Sequence, residues 1–365
     1  MKEGKKQKRI LALDGGGIRG ALTLGYLEKI EEVIQKKENN PNLKLYEYFD
    51  LIGGTSTGAI IAAGLAIGMT ASEIKDLYLR LGDKIFGNKR NFFKNPFKWY
   101  KADYDYKPLE EELKKVFKNY TLGSHQIKTS LCIVTKRIDT LSTWPLTNHP
   151  EAKYYEKNKG ILLHKLIRAS TAAPTYFQPQ KINVGANEIG TFIDGGVSLA
   201  NNPSLQLFLL ATLKGFPYKW ETGADNLAIY SIGTGTSTKR YNYEKMLKKG
   251  KLGWAKLMPE IFMEDANYLN QTLLQYMSQP PSTSKQIDRE IGDLKNDNLA
   301  SSPLLHYIRY NVLLDENEPN NLGFTDLTES QIDSLREMSE TKNKELLYEI
   351  GFKASEREVK INHFK

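Results

Sequence analysis

Apolar and polar positions divide the chain into short apolar runs and longer amphipathic ones, often parted by glycines. The run from Arg9 to Leu13 suits one buried strand and breaks at once into "DGGGIRG". Apolar residues then recur at helical spacing from about Ala21 to Lys36, which predicts an amphipathic helix. The same order returns in "FDLIGGTSTGAIIAAG", where Phe49 to Ile52 read as a strand and Ala59 to Ile67 as a helix of good helix formers. Strand, glycine turn and helix in repeated succession predict a parallel α/β fold.

Farther along, "TASE" forms a capping box with Thr70 and Glu73 and opens a third helix. Pro108 begins another helical stretch, and "GILLHKLIRAS" predicts one more. Strands are expected over Ile127 to Lys136, around Thr191 to Ile193, and over Leu227 to Ile232. Pro203 suits the first position of a helix over Ser204 to Lys214, with Gly215 at its end. After about Thr236 the pattern turns mostly helical, with loops at "QPPSTS" and "DENEPNN". Thr328 to Ile350 predicts a last amphipathic helix carrying Leu335, Met338, Leu346 and Leu347 on its apolar side. These patterns divide the chain into a basic tail over 1–8, an α/β unit over 9–207, and a mostly helical C-terminal layer over 208–365 packed on it.

Composition places this pattern among folded proteins, with 40% apolar and 26% charged residues in 365. Lys and Arg outnumber Asp and Glu by 51 to 43, a net charge of +8 that favours anionic partners without choosing among lipid, nucleotide and nucleic acid. The single cysteine, Cys132 in "SLCIVT", reads as a core residue, and there is neither a disulfide framework nor a zinc-ligand pattern. The apolar run after the basic N-terminus is too short for a signal peptide. Leu51 to Met69 has the length of a membrane span, but Gly53, Gly54 and the hydroxyls of Thr55, Ser56 and Thr57 interrupt it. A cytoplasmic protein, peripheral to membranes when active, is expected.

The candidate chemistry lies in the glycine turns. Gly54, Ser56 and Gly58 match G-x-S-x-G, the nucleophile elbow that exposes a serine at the start of a helix. Taken alone, the pattern also fits an ordinary glycine turn. Acyl transfer further requires a base and donors for an oxyanion. Gly15, Gly16 and Gly17 would let backbone amides converge on an anion, with Arg19 adding charge. Gly15, Gly17 and Gly20 also match a dinucleotide fingerprint, but its acidic partner would fall near Gln35 to Asn39, which read as a helix end. For the base, the order Ser56, Asp194, His306 is formally available, although "LLHYIRY" reads as the setting of a packed histidine. Asp194 in "GTFIDGGVSLANNP" ends a strand before two glycines. It suits either a turn aspartate bonding its own backbone or a base acting on Ser56 directly. With an ordinary pKa of about 3.9, an aspartate is a weak base toward a hydroxyl, so a dyad asks for a partly desolvated Asp194.

In order along the chain, "DGGGIRG", "GTSTG" and "DGG" resemble the patatin-like phospholipase family over roughly Arg9 to Leu207, and "RASTAAPTYFQP" resembles a family segment that precedes the aspartate. The resemblance implies a three-layer α/β sandwich with a mainly parallel sheet, Ser56 as nucleophile, Asp194 as base, and Gly15, Gly16, Gly17 and Arg19 as the oxyanion loop. It implies hydrolysis of phospholipid acyl esters through an acyl-serine, with no metal or organic cofactor. An acyltransferase or thioesterase would use the same residues. A non-enzymatic nucleotide- or membrane-binding protein is the reading from a different class. "IFGNKRNFFKNPFKWYK" sets Lys94 and Lys98 among Phe92, Phe93, Phe97 and Trp99, which suits contact with a phospholipid surface or aromatics packed on the body. A second basic stretch, "TKRYNYEKMLKKGKLGWAKLMP", reads as a solvated helix face. Similar bacterial enzymes include cyclic-dinucleotide-activated effectors of antiphage defence, so such an activator is expected in the basic C-terminal half and a nucleic-acid partner is not.

Overall fold

The computed structural model describes residues 7–86, 102–185, 188–237, 242–279, 285–288, 290–315 and 317–365. The predicted membrane-contact residues Phe92, Phe93, Lys94, Phe97, Lys98 and Trp99 lie outside them. Among the described residues nine strands form one sheet: β1 (Lys8–Leu13), β2 (Leu51–Thr55), β3 (Ser130–Arg137), β4 (Ser142–Thr147), β5 (Gln180–Asn183), β6 (Ile189–Asp194), β7 (Leu227–Ile232), β8 (Ser278–Gln279) and β9 (Leu305–Tyr310). Their order is β5-β6-β3-β2-β1-β7-β9-β8, with β4 also on β3. The stretch from β3 to β8 is parallel, whereas β4, β5 and β6 pair antiparallel.

Alternate residues of each central strand enter two separate cores. Leu11 and Leu13 of β1 join one, Ile10 and Ala12 the other, as expected of a sheet covered on both faces. On the first face pack the helices Gly20–Lys37, Thr57–Ala66, Ala71–Phe86, Lys107–Phe117, Leu163–Ser170 and Lys344–Glu358. On the second lie Ser204–Thr212 and the long helix Lys251–Met277. The result is the expected three-layer sandwich. Cys132 is free and buried in the second core. Thr70 and Glu73 exchange the two hydrogen bonds of their capping box.

Several boundaries differ from the pattern reading. β2 starts at Leu51 because Phe49 caps a short helix, Leu45–Tyr48, and Gly53 and Gly54 belong to the strand. The helix after Pro203 stops at Thr212 because Leu213 is extended. The C-terminal part is more than a helical layer, since β7, β8 and β9 extend the central sheet past Leu207. The expected last helix, 328–350, is two helices, Glu329–Leu335 and Lys344–Glu358. Residues 339–345 carry no apolar side chain, so the stripe that would hold a helix to the core lapses there. The break is held by Asn343, which donates to the Ser334 carbonyl at 2.7 Å, and Met338 offers its carbonyl to the Ile18 amide at 2.8 Å.

One feature of the sheet positions the chemistry. β2 ends at Thr55, opposite Val134 of β3. β6 runs the other way and ends at Asp194, opposite Thr135. β4 occupies the far edge of β3 across both stretches, so β2 and β6 share the near edge and meet end to end. A single ladder therefore brings the residues at 56 and 194 together from distant parts of the chain.

Candidate active site

Ser56 follows β2 directly and caps the helix Thr57–Ala66 with φ 54° and ψ −122°, a strained conformation for a residue with a Cβ. The turn is tight enough that a Cβ at Gly54 would meet the Gly58 carbonyl, which accounts for the elbow's glycines. The strain is held by hydrogen bonds. The Ser56 amide donates to Ser170 Oγ at 2.9 Å, and Ser170 donates in turn to the Val134 carbonyl at 2.6 Å.

Ser56 Oγ donates to Asp194 Oδ2 at 2.6 Å, and the Gly196 amide donates to Oδ1 at 2.7 Å. Asp194 is 4% exposed. Burial pushes its carboxyl up to about 6, against the opposing pull of the Ser56 and Gly196 hydrogen bonds and the charge of Arg168. Arg168 is itself buried. It donates to the Gln178 carbonyl at 2.7 Å, its guanidinium lies over the rings of Tyr106 and Phe177, and burial lowers its pKa to about 10.

The glycine loop after β1 lies beside this pair. Gly17 has φ 56°, a conformation glycine takes freely. The Thr234 hydroxyl donates to the Gly15 carbonyl at 2.9 Å, and Tyr78 donates to the Gly17 carbonyl. The Gly15 amide is spent on the Asn201 carbonyl at 3.0 Å. The amides of Gly16 and Gly17 have no hydrogen-bond partner among the described residues, and both residues line the cavity that contains Ser56 and Asp194. That cavity encloses about 850 Å³, its mouth included, between apolar walls such as Ile60, Leu81, Ile85, Leu109, Phe177 and Met263.

The patatin-like phospholipase family model matches residues 11–208. This chain belongs to the patatin-like phospholipase family, a family of lipid hydrolases. It is 32% identical over 282 residues to the cGAMP-activated phospholipase of Vibrio cholerae serotype O1, covering 74% of this chain and 76% of that one. It is 28% identical over 285 residues to patatin group J-1 of Solanum tuberosum, covering 71% and 70%. Its structure superposes on VipD from Legionella pneumophila only loosely, with TM-score 0.36 and 13% identity over 94% of this chain and 67% of that one.

In this patatin-like site, Ser56, Asp194, Gly16 and Gly17, the residues the family resemblance points to, lie together, and Gly54 and Gly58 form the elbow. Arg19 does not join them. Its side chain, pushed below its ordinary pKa by burial, turns from the loop into a second cavity of about 1050 Å³ lined by Asp14, Thr234, Glu264, Asn267 and Arg309. Gly15 is adjacent, but its amide is already taken. His306 lies near the start of β9, in register with Ala228 and through it with Arg9, at the end of the sheet opposite to Ser56. Burial lowers its pKa to about 4, and the Ser-Asp-His order does not form. Sequence reasoning missed Ser170 and Arg168 as supports of the pair, although both lie in or at the edge of "RASTAAPTYFQP".

Proposed function

We propose that Ser56 is the nucleophile and Asp194 the sole general base of a phospholipid acyl hydrolase. The observation that carries this reading is the 2.6 Å hydrogen bond from Ser56 Oγ to a buried Asp194 at an apolar-walled cavity. Ser56 Oγ bonds to the ester carbonyl carbon while Asp194 takes its proton. The oxyanion is met by the Gly16 and Gly17 amides, reinforced by the first turn of the Thr57–Ala66 helix. The C–O bond to the alcohol breaks as Asp194 returns the proton to the leaving oxygen. Water then loses a proton to Asp194, attacks the acyl-serine and releases the fatty acid, and Ser56 regains its hydrogen. The scheme calls for neither a metal nor an organic cofactor.

A carboxyl near pKa 6 supports the base role, because it is mostly ionised at neutral pH yet a better proton acceptor than an ordinary aspartate. The substrate we infer is a fatty acyl ester of a glycerophospholipid or lysophospholipid. The relative activated by cGAMP and the net charge of +8 support activation of this chain by a cyclic dinucleotide. The test is fatty-acid release from mixed phospholipid vesicles in EDTA, for wild type, Ser56→Ala and Asp194→Ala, with and without a cyclic-dinucleotide panel. Release by the wild type that both variants lose supports the dyad. Release retained by Ser56→Ala overturns it.

A further inference from the structure

Among the described residues that line the acyl cavity, the solvent-exposed one is Val197, just past the Gly195–Gly196 turn, and it marks a mouth of the cavity. Two residues on stands Leu199, 65% exposed, whose carbonyl is held at 2.6 Å by Asn270 of the long helix Lys251–Met277. Met263 of that helix forms part of the cavity wall. Outward from Met263 the helix presents Trp254, Phe262 and Leu269, all exposed, with half-buried Met258 between the first two. At ~3.6 residues per turn these four side chains fall on one face. Lys251 shares that face, and exposed Lys248 and half-buried Lys249 lie just before it. Exposed Asp265 falls within the same arc, between Trp254 and Met258 around the helix.

We propose that this helix face, together with Val197 and Leu199, docks on an anionic lipid bilayer and holds the mouth of the acyl cavity against it. The inference rests on the lipid-hydrolase reading, because a lipid that enters through this mouth must leave a bilayer there. Two features favour lipid over a second copy of the chain. The helix that carries the patch also supplies Met263 to the cavity wall and Asn270 to the Leu199 carbonyl, so a protein partner seated on it would crowd the entrance. The lysines at one end match a surface of negative headgroups, where apolar insertion and charge attraction add. The stretch that reads as a solvated basic face in sequence thereby gains an apolar side.

The test separates docking from catalysis. Sedimentation with phosphatidylglycerol–phosphatidylcholine vesicles is measured in a Ser56→Ala background, where binding is read without hydrolysis and so stands apart from the dyad. Phe262→Glu/Leu269→Glu is expected to weaken vesicle binding ~10-fold or more, and Lys248→Glu/Lys251→Glu to weaken it severalfold and flatten its salt dependence. With Ser56 restored, fatty-acid release from vesicles should fall in parallel, while hydrolysis of a water-soluble short-chain ester stays within about twofold of wild type, as expected for surface changes away from the reacting atoms. Vesicle binding unchanged in both double variants overturns the proposal. So does conversion of a dimer to a monomer with vesicle binding intact, which would make the face a contact between copies. If Phe262→Glu/Leu269→Glu also loses the soluble ester, the lysine pair, which touches no core, decides alone.

Discussion

The chain ends two strands with the same three residues, Asp-Gly-Gly, at 14–16 and at 194–196, and gives the two aspartates opposite surroundings. Asp14 is buried against Arg309, which donates to both carboxylate oxygens at 2.9 and 2.6 Å. Asp194 is equally buried, but its direct partners are a serine hydroxyl and one amide, and Arg168 acts on it only through space. A bidentate guanidinium makes a carboxylate a fixture, whereas two neutral donors leave it able to take a proton. The comparison shows that local sequence does not choose between these fates. The choice is made by whichever element packs against the strand end.

The difference breaks most sharply in catalysis. Ser56→Ala should lower kcat for ester hydrolysis by ~10⁴-fold or more, and Asp194→Asn by ~10²–10⁴-fold, both read as fatty-acid release. The acid limb of the wild-type pH–rate profile should bend near pH 6, with rate lost below it as Asp194 takes a proton. Next comes stability, where the two aspartates should answer in opposite directions to the same change. Asp14→Asn leaves Arg309 buried without its counter-charge and should cost about 3–5 kcal/mol by chemical denaturation.

Asp194→Asn should instead stabilise. With a folded-state pKa of about 6 against about 3.9 unfolded, the group's stabilising contribution is complete below about pH 4 and is lost as pH rises through 6. The burial of the ionised form then costs up to about 3 kcal/mol at pH 8. Asn accepts from the Gly196 amide and can donate its NH2 to Ser56 Oγ without carrying charge, so a gain at pH 8 that vanishes at pH 4 is expected. The smallest effect belongs to Ser170→Ala, which unseats the Ser56 amide and should cost about 1–2 kcal/mol with a modest drop in kcat and little change in KM.

Much of this was written locally. A strand that runs into glycines and then a helix reports its own turn, so the elbow at Ser56, the loop at Gly15 to Gly17 and the strand end at Asp194 were legible. What remained hidden depends on partners distant in sequence. That β6 takes over the edge of β3 where β2 stops is a matter of pairing, which no local pattern encodes. Arg19 looked like oxyanion charge because it is close in sequence, but its side chain leaves the loop on the other side. Gly15 looked like a donor until Asn201 claimed its amide. Asp14 bore the same signature as Asp194, and only Arg309, on a strand far along the chain, distinguishes it. Leu335 and Leu346 kept the apolar spacing of one helix, and the polar run over 339–345 was the overlooked sign of the break.

That break has a consequence in time. The glycine loop is encoded near the start of the chain, yet Thr234 and Met338, which hold its Gly15 carbonyl and Ile18 amide, are made far later. β1 likewise waits for β7, its partner across the sheet. A growing chain that already carries Ser56 and Asp194 still lacks the pieces that fix the donors facing them. Synthesis thus runs well past the reactive groups before the loop is clamped, and an enzyme built in this order gains its competence only once Met338 has been added.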